Sequence, residues 1–473
     1  MIPDFKPYPA MKDSGVEWLG EVPEHWELRR TKTVLGVRSQ KGFPDEPMLA
    51  ATQTKGVVRK EQYENRTVLA LKDLHLLKLV RVRDFVISLR SFQGGIEYAR
   101  EQGIISPAYT ILFAENPDDQ EFLAHLFKSK PYIENLGLFV TGIRQGQNID
   151  YEKLSRAEIP LPPLSEQTGI VRYLNYVDRR VRRYSRAKQK LIKLLEEQKQ
   201  AIIHRAVTRG LDPDVPMKDS GVEWLGDVPE HWEVRRVKQC AKTISKGTTP
   251  STEGREIVDS GPVRFLKAEN VTSLGIQDSP LAFIDEETDR MLKRSRLHLG
   301  DVLFVIAGAT LGKTSLVSKS ILPANTNQAV AFIRPNSKID SSYLEFWLQT
   351  PRIKEQIWLN AVQSAQPNLS MGDLGEFACP LPSSSEQTVI VQHLEDVTTD
   401  IDTAIARTHR KIELLSEYRT RLLADVVTGK LDVREAAENL PDEPVDIEEP
   451  EELLENGDDL PEEIDSIPQE VEA

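Results

Sequence analysis

The chain has 473 residues, 39% of them hydrophobic and 28% charged, with a formal net charge of −14. That length exceeds one compact core and implies two or three domains. No apolar run reaches the ~20 residues of a membrane span, the start MIPDFKPYPA lacks a signal-peptide pattern, and Cys240 and Cys379 make neither a disulfide framework nor a zinc set, so a cytoplasmic, reducing compartment is expected.

An N-terminal repeat segment spans residues 1–30. Residues 11–30 read MKDSGVEWLGEVPEHWELRR and residues 217–236 read MKDSGVEWLGDVPEHWEVRR, with eighteen of twenty positions identical. Such an internal repeat comes before any argument about fold. Its tryptophans, Trp18, Trp26, Trp224 and Trp232, suggest a short docking segment that packs on the start of the region behind it. A domain-start motif with no outside contact is the plainer alternative.

Residues 31–158 form a first globular region. Residues 80–99 and 103–114 read as strands with glycine turns, and 121–136 as a short helix. A Gly- and Gln-containing loop, TGIRQGQNID (141–150), then leads to a short strand or turn and the proline-rich IPLPPL (159–164).

A long helix follows, within residues 159–209. Ile170, Leu174, Val177, Val181, Tyr184, Leu191, Leu195 and Ile202 recur at alternating steps of four and three, broken only by Lys188 and Gln198. That spacing predicts the seam of a coiled coil. Its basic middle, Arg179 to Lys193, contains no acid. It reads as a solvated face, or as a contact for phosphates or an acidic partner helix.

After a linker and the second repeat segment (210–236), the plan recurs. A second globular region spans 237–378. CPLPSS (379–384) opens a second spacer helix within 379–430, where Ile390, Leu394, Val397, Ile401, Ala404, Leu415, Tyr418 and Leu422 occupy the seam positions shifted by 220. Residues 434–473 hold seventeen acidic side chains and one arginine, which leaves 59 basic and 57 acidic residues in 1–433. This tail is expected to be disordered and solubilising; a polyanion mimic that competes with DNA is the functional alternative.

Residues 307–314, AGATLGKT, fit a loose P-loop pattern, but the sequel reads as a strand where a phosphate-binding helix is needed. A glycine hairpin turn is the expectation. No histidine pair has metal-ligand spacing, and nucleophile-elbow, zinc-protease, nuclease and methyltransferase patterns are absent from the sequence. What does cluster is basic and amide side chains on loops: Lys55, Arg59, Lys60, Arg90, Gln93, Arg144, Gln145 and Gln147 in the first region. The second has Lys246, Lys267, Asn270, Lys313, Asn325, Asn327, Gln328, Gln363 and Gln366, with the hydroxyl of Thr248 a further DNA-binding candidate. Arg, Asn and Gln are the side chains that read guanine and adenine edges, so two such sets suit a bipartite DNA reader.

The twin WLGxVPxHWE segments, RSFQGGIE (90–97), GIRQGQNI (142–149), KGTTPS (246–251), NQAVAFIRP (327–335) and the twin P-L-P-x-x-SEQ helix starts together resemble the specificity (S) subunit of type I restriction-modification systems. The resemblance covers about residues 11–433. It implies an α+β chain with a pseudo-two-fold internal repeat. Two α/β target recognition domains with β-rich cores, inverted relative to each other, would be separated by two long antiparallel coiled-coil helices. Each domain would read one half of a bipartite asymmetric site on double-stranded DNA. The helices would dock two methyltransferase (M) subunits, and the assembly would recruit restriction motor-nuclease (R) subunits. No cofactor or metal is expected in this chain, with S-adenosylmethionine, ATP and Mg used on other subunits. The seam from Ile170 to Ile202 would be about 50 Å long, which suits modules about one to one and a half DNA turns apart. The acidic tail departs from the family pattern. A P-loop nuclease or NTPase and a protein-only coiled-coil adaptor are the rival readings.

Overall fold

The computed structural model describes residues 6–53, 55–62, 73–141, 148–272, 275–361 and 368–441. It divides into two compact units, residues 1–186 with 411–473, and residues 187–410.

In the first unit the repeat segment is a hairpin, Met11–Asp13 against Glu21–Pro23, with Met11 opposite Pro23. Glu27–Arg30 then pairs antiparallel with Glu158–Leu161. This ladder zips the two ends of the globular region together just where the first long helix begins. Between those ends runs a four-stranded antiparallel sheet in the order Leu35–Arg38, Thr110–Ala114, Phe85–Ile87, Glu97–Tyr98. The single helix expected over 121–136 is two, Gln120–Phe127 and Lys130–Leu136. Ser129 is extended between them, and Pro131 has no N–H to continue the ladder. Phe85, Leu112, Phe122, Phe127 and Tyr132 form one core with Ile170 and Leu174 of the first long helix and Leu422 and Val426 of the second.

The second unit repeats this order. Met217–Asp219 pairs with Asp227–Pro229, and Glu233–Arg236 with Ala378–Leu381. The four-stranded sheet runs Ala241–Lys246, Val330–Pro335, Val302–Val305, Thr314–Leu316. As in the first unit, the opening strand lies beside the latest one. A second sheet, Phe283–Ile284, Val263–Leu266, Ala324–Thr326, has one parallel pair. The expected glycine turn at 307–313 is a hairpin: Gly308 and Gly312 have φ of 93° and 85°, and strand Thr314–Leu316 follows. No helix N-terminus is there to bind phosphate, so the P-loop reading has no structural support.

The long helices span Leu164–Arg209 and Ser384–Val427. Within the first unit Ile170 and Leu174 share a core with Leu422 and Val426, and Asp178 meets Arg419; within the second, Lys199 meets Asp402 and Gly210 lies against Glu386. Numbers fall on one side as they rise on the other, so the helices pair antiparallel in each unit. Ile170, Leu174, Ile390, Leu394, Ile401 and Leu422 are buried in the predicted seam, and Val177, Val181, Leu195, Val397 and Leu415 are partly covered. Leu191 is a correction. Past Val181 the covered series takes a second consecutive step of four and continues through Ser185, Lys188, Ile192, Leu195, Lys199 and Ile202, while Tyr184 and Leu191 are 47% and 39% exposed. Such a stutter resets a seven-residue pattern against the 3.6-residue turn. The second helix shifts likewise: Ile412 is covered and Lys411 exposed.

The expected tail boundary at 434 is also corrected. Arg434–Glu438 is a short helix whose Ala437, with the preceding Val433, is buried in the first unit's core. Residues 442–473 lie outside the described residues. No described helix is long and apolar enough to cross a membrane.

Candidate nucleic-acid interface

In the first unit, Lys55 sits at the tip of the hairpin Leu49–Thr52/Gly56–Arg59 and is exposed. Arg90 precedes a short helix, Ser91–Gly94, and Gln93 lies within it, exposed. The two loops touch: a side chain on Gly94 would meet Gln53 at 2.7 Å. Lys128 locks the pair, its Nζ donating to Gln53 O at 3.2 Å, Gly94 O at 2.8 Å and the buried Glu97 carboxylate at 2.5 Å. Gly95 is obligatory there, with φ of 86° and its Cβ position 2.3 Å from Phe127 O. Lys55, Arg90 and Gln93 therefore share one rim. Arg59 is held by Glu101, and Lys60 is partly buried. Arg144, Gln145 and Gln147 lie outside the described residues, between the paired strands Val140–Thr141 and Asn148–Ile149.

The second rim is built from different contacts. Gly247 lets the 246–249 loop press on the 325–328 loop, since a Cβ there would stand 2.0 Å from Thr326 O. Thr248 N donates to Thr326 O, and Thr249 meets Gln328. Asn327 N donates to Leu266 O at 3.1 Å, which brings Lys267 beside it. Lys246, Thr248, Lys267, Asn327 and Gln328 thus gather on one edge, and exposed Lys313 caps the neighbouring glycine hairpin. Asn327 Oδ1 is buried without a hydrogen-bond partner among the described residues. Gln363 and Gln366 lie outside the described residues. Asn270 and Asn325 are corrections. The Asn270 amide donates to Gln277 O and Pro280 O, and the Asn325 amide to Asp289 and Leu292 O, inside the fold. Buried amides so engaged cannot present themselves to a base edge.

Both rims stand on a joint that residue-by-residue reading of the sequence missed. Glu166, in the first turn of the first long helix, accepts from Trp26 Nε1 at 2.8 Å and Tyr8 OH at 2.5 Å and meets His25 Nε2 at 2.8 Å. Glu386 accepts from Trp232 Nε1 at 2.9 Å and meets His231 Nε2 at 3.0 Å. The neighbouring glutamines clamp the globular regions: Gln167 donates to Asp119 and Pro162 O, and Gln387 to Lys338 O and Pro382 O. The end of the other helix closes each joint. Gly429 packs on Pro23 and Trp26, and Gly210 on Trp232, both with left-handed φ. The tryptophans do dock, but on helices late in each region: Trp18 on Tyr132, Trp26 on Phe122, Trp224 on Trp347. The signal was available, because a Trp-containing segment and a Glu-containing helix start each occur twice.

Two titratable groups are half-buried near the first long helix, His125 against Asn175 and Glu345 near Lys199. Burial pushes His125 down to about 4, opposed by its hydrogen bond to Asn175. Burial pushes Glu345 up to about 7, opposed by a backbone hydrogen bond from Leu316 and by Lys199. Among the described residues no group of three or more His, Cys, Asp or Glu could hold a metal ion.

The sequence matches the family described as type I restriction modification DNA specificity domain twice, over residues 23–194 and 229–414. This chain belongs to that family. Each match starts at the proline before a joint histidine–tryptophan pair and runs into a long helix. Among curated proteins, the type I restriction enzyme MjaVIII specificity subunit of Methanocaldococcus jannaschii is 24% identical over 361 residues, 75% of this chain and 81% of that one. The EcoBI specificity subunit of Escherichia coli is 26% identical over 289 residues, 59% of this chain and 60% of that one. A solved chain from a study of complex assembly and conformational transition of the type I R-M system superposes with a TM-score of 0.62 at 18% identity, covering 87% of this chain and 99% of that one. The fold of this specificity-family chain is therefore shared along nearly its whole described length.

Proposed function

We propose that this chain reads DNA sequence for a type I restriction-modification complex and contributes no catalytic group itself. The observation that carries the proposal is one joint built twice beneath two unlike rims. Region 31–158, with Lys55, Arg90, Gln93, Arg144, Gln145 and Gln147, reads one half of a bipartite asymmetric site. Region 237–378, with Lys246, Thr248, Lys267, Lys313, Asn327, Gln328 and Gln366, reads the other. Basic side chains fix the phosphates, and amide and guanidinium groups select bases. The long helices dock two methyltransferase subunits, and motor-nuclease subunits join them. Adenine methylation and restriction then follow on those subunits, with their S-adenosylmethionine, ATP and Mg, in the cytoplasm.

The test is to map methylated adenines in DNA exposed to this chain together with its methyltransferase subunits. A split motif is expected, and replacing residues 237–378 with the matching region of a relative should alter only one half of it. Methylation without sequence preference, or a swap that changes both halves, would overturn the reading.

A further inference from the structure

The first long helix carries a basic stripe away from its seam. Arg172, Arg179, Arg183 and Arg186 follow at steps of seven, four and three, so they lie on one helix face. All four are exposed. Tyr176 completes the series, with Arg180 stacked over its ring and donating to its hydroxyl at 2.8 Å. No acid lies between Asp178 and Glu196 in the sequence. Asp178 is itself engaged by Arg182 and Arg419.

The chain's acidic segment leaves the body at the head of this stripe. Arg172 Nη2 lies 3.4 Å from Leu440 O, and Gly169 faces Ala437. Past Pro441, residues 442–473 hold fifteen Asp and Glu and no Lys or Arg. From Arg172 to Arg186 the stripe is about 21 Å long, well within the roughly 100 Å that the segment could span fully extended.

We propose that segment 442–473 docks along this stripe and that duplex DNA must displace it there. Each exposed ion pair is weak, but tethering at Leu440 makes the encounter intramolecular, at an effective concentration in the millimolar range. The interaction is therefore strong at low salt and screened at high salt. DNA competes because it offers the same cations a denser row of charge. The displacement step rests on the DNA-binding reading above; the docking does not.

Docking is tested in the full chain with Arg179→Lys and Arg183→Lys, which keeps the charge and places amines on the stripe. Carbodiimide coupling, mapped by mass spectrometry, should join positions 179 and 183 to carboxylates of 442–473 at low salt and not at high salt. Coupling of the segment only to lysines elsewhere overturns the docking. Displacement is tested with a random-sequence duplex. Removing 442–473 should tighten binding by about tenfold at low salt, and Arg179→Glu with Arg183→Glu and Arg186→Glu should cancel that gain. Equal affinity with and without the segment overturns the competition. A gain that survives the reversed arginines means that the segment acts through overall charge, which also overturns it. Absence of duplex binding by both forms refutes the DNA-binding reading and leaves the coupling result to decide the docking.

Discussion

Glu166 in the first unit and Glu386 in the second each hold an indole N–H and a histidine, at 2.8 to 3.0 Å. Their surroundings then diverge. Glu166 is buried and takes a further hydrogen bond from Tyr8, over whose ring Arg434 stacks at 5.0 Å. Glu386 is 29% exposed at its side chain and has no counterpart of that tyrosine among its hydrogen bonds. The sheets show the same pattern. Asp84 and Asp301 each precede a central strand and take a two-pronged arginine, but Arg38 comes from the opening strand and Arg334 from the latest one. The frame is held where chain ends and helix ends meet, and its key acids are fixed there. The partners of those acids, and the loops beyond, differ between the units, so one scaffold carries two unlike rims.

The joint tryptophans give the largest expected effect. Trp26 and Trp232 are fully buried, and truncating such a side chain costs about 3–5 kcal/mol. Trp26→Ala should exceed Trp232→Ala, because it also strips a donor from the more deeply buried glutamate. Urea unfolding of the two variants checks this; equal losses would mean that the joints are energetically equivalent despite their different burial.

The seam sharpens the comparison between expected and observed register. Ile192 is 7% exposed, so Ile192→Asp should cost several kcal/mol for burying a charge. Leu191→Asp, on the exposed neighbour, should stay within about 0.5 kcal/mol. The reverse ranking, read by thermal unfolding, would restore the unbroken heptad.

That register marks the limit of what the sequence discloses. Two helices, two globular regions and the glycine hairpin at 307–313 were all legible, because repetition and 3.5-residue spacing are local signals. The stutter was not, since Ser185, Lys188 and Lys199 are polar and no apolar pattern marks them as covered; Lys199 is accommodated by Asp402 at 2.7 Å from another part of the chain. The rim residues were half legible. Gln93 and Lys313 are exposed as loop chemistry suggests, whereas Asn270 and Asn325 turn inward to satisfy buried carbonyl groups that only tertiary packing reveals. The pairing of Trp26 with Glu166 spans 140 residues, beyond any periodicity.

A smaller effect separates the two joint acids themselves. Glu166→Gln keeps the shape but weakens charge-assisted hydrogen bonds inside a buried site, at about 1.5–3 kcal/mol. Glu386→Gln, at a side chain 29% exposed to water, should cost about 1 kcal/mol or less. Denaturant midpoints measure the difference, and an equal shift would assign the stabilisation to packing around the tryptophans and none of it to the carboxylate charge.

The finest test is acidity, where the units should respond in opposite directions. His125 is held neutral by burial, at about 4 against an ordinary 6.5, with Asn175 and Asp178 favouring its charged form and Arg419 and Arg100 opposing it. The unfolded chain takes up a proton that the folded first unit refuses. Its contribution is therefore fully present above pH 6.5 and is lost as pH falls toward 4. Glu345 is the converse, raised by burial from 4.5 to about 7, so the folded second unit keeps a proton that the unfolded chain releases. Its contribution is present below pH 4.5 and is lost as pH rises through 7. Each group has a limiting slope of about 1.4 kcal/mol per pH unit inside its window. Hydrogen exchange resolved by unit, corrected for intrinsic rates, should show the first unit loosening on acidification between those limits while the second tightens. His125→Gln should flatten only the first response and Glu345→Gln only the second. If both units moved together and neither substitution mattered, the two buried groups would not be the source of the chain's pH dependence, and the exposed carboxylates common to both units would be.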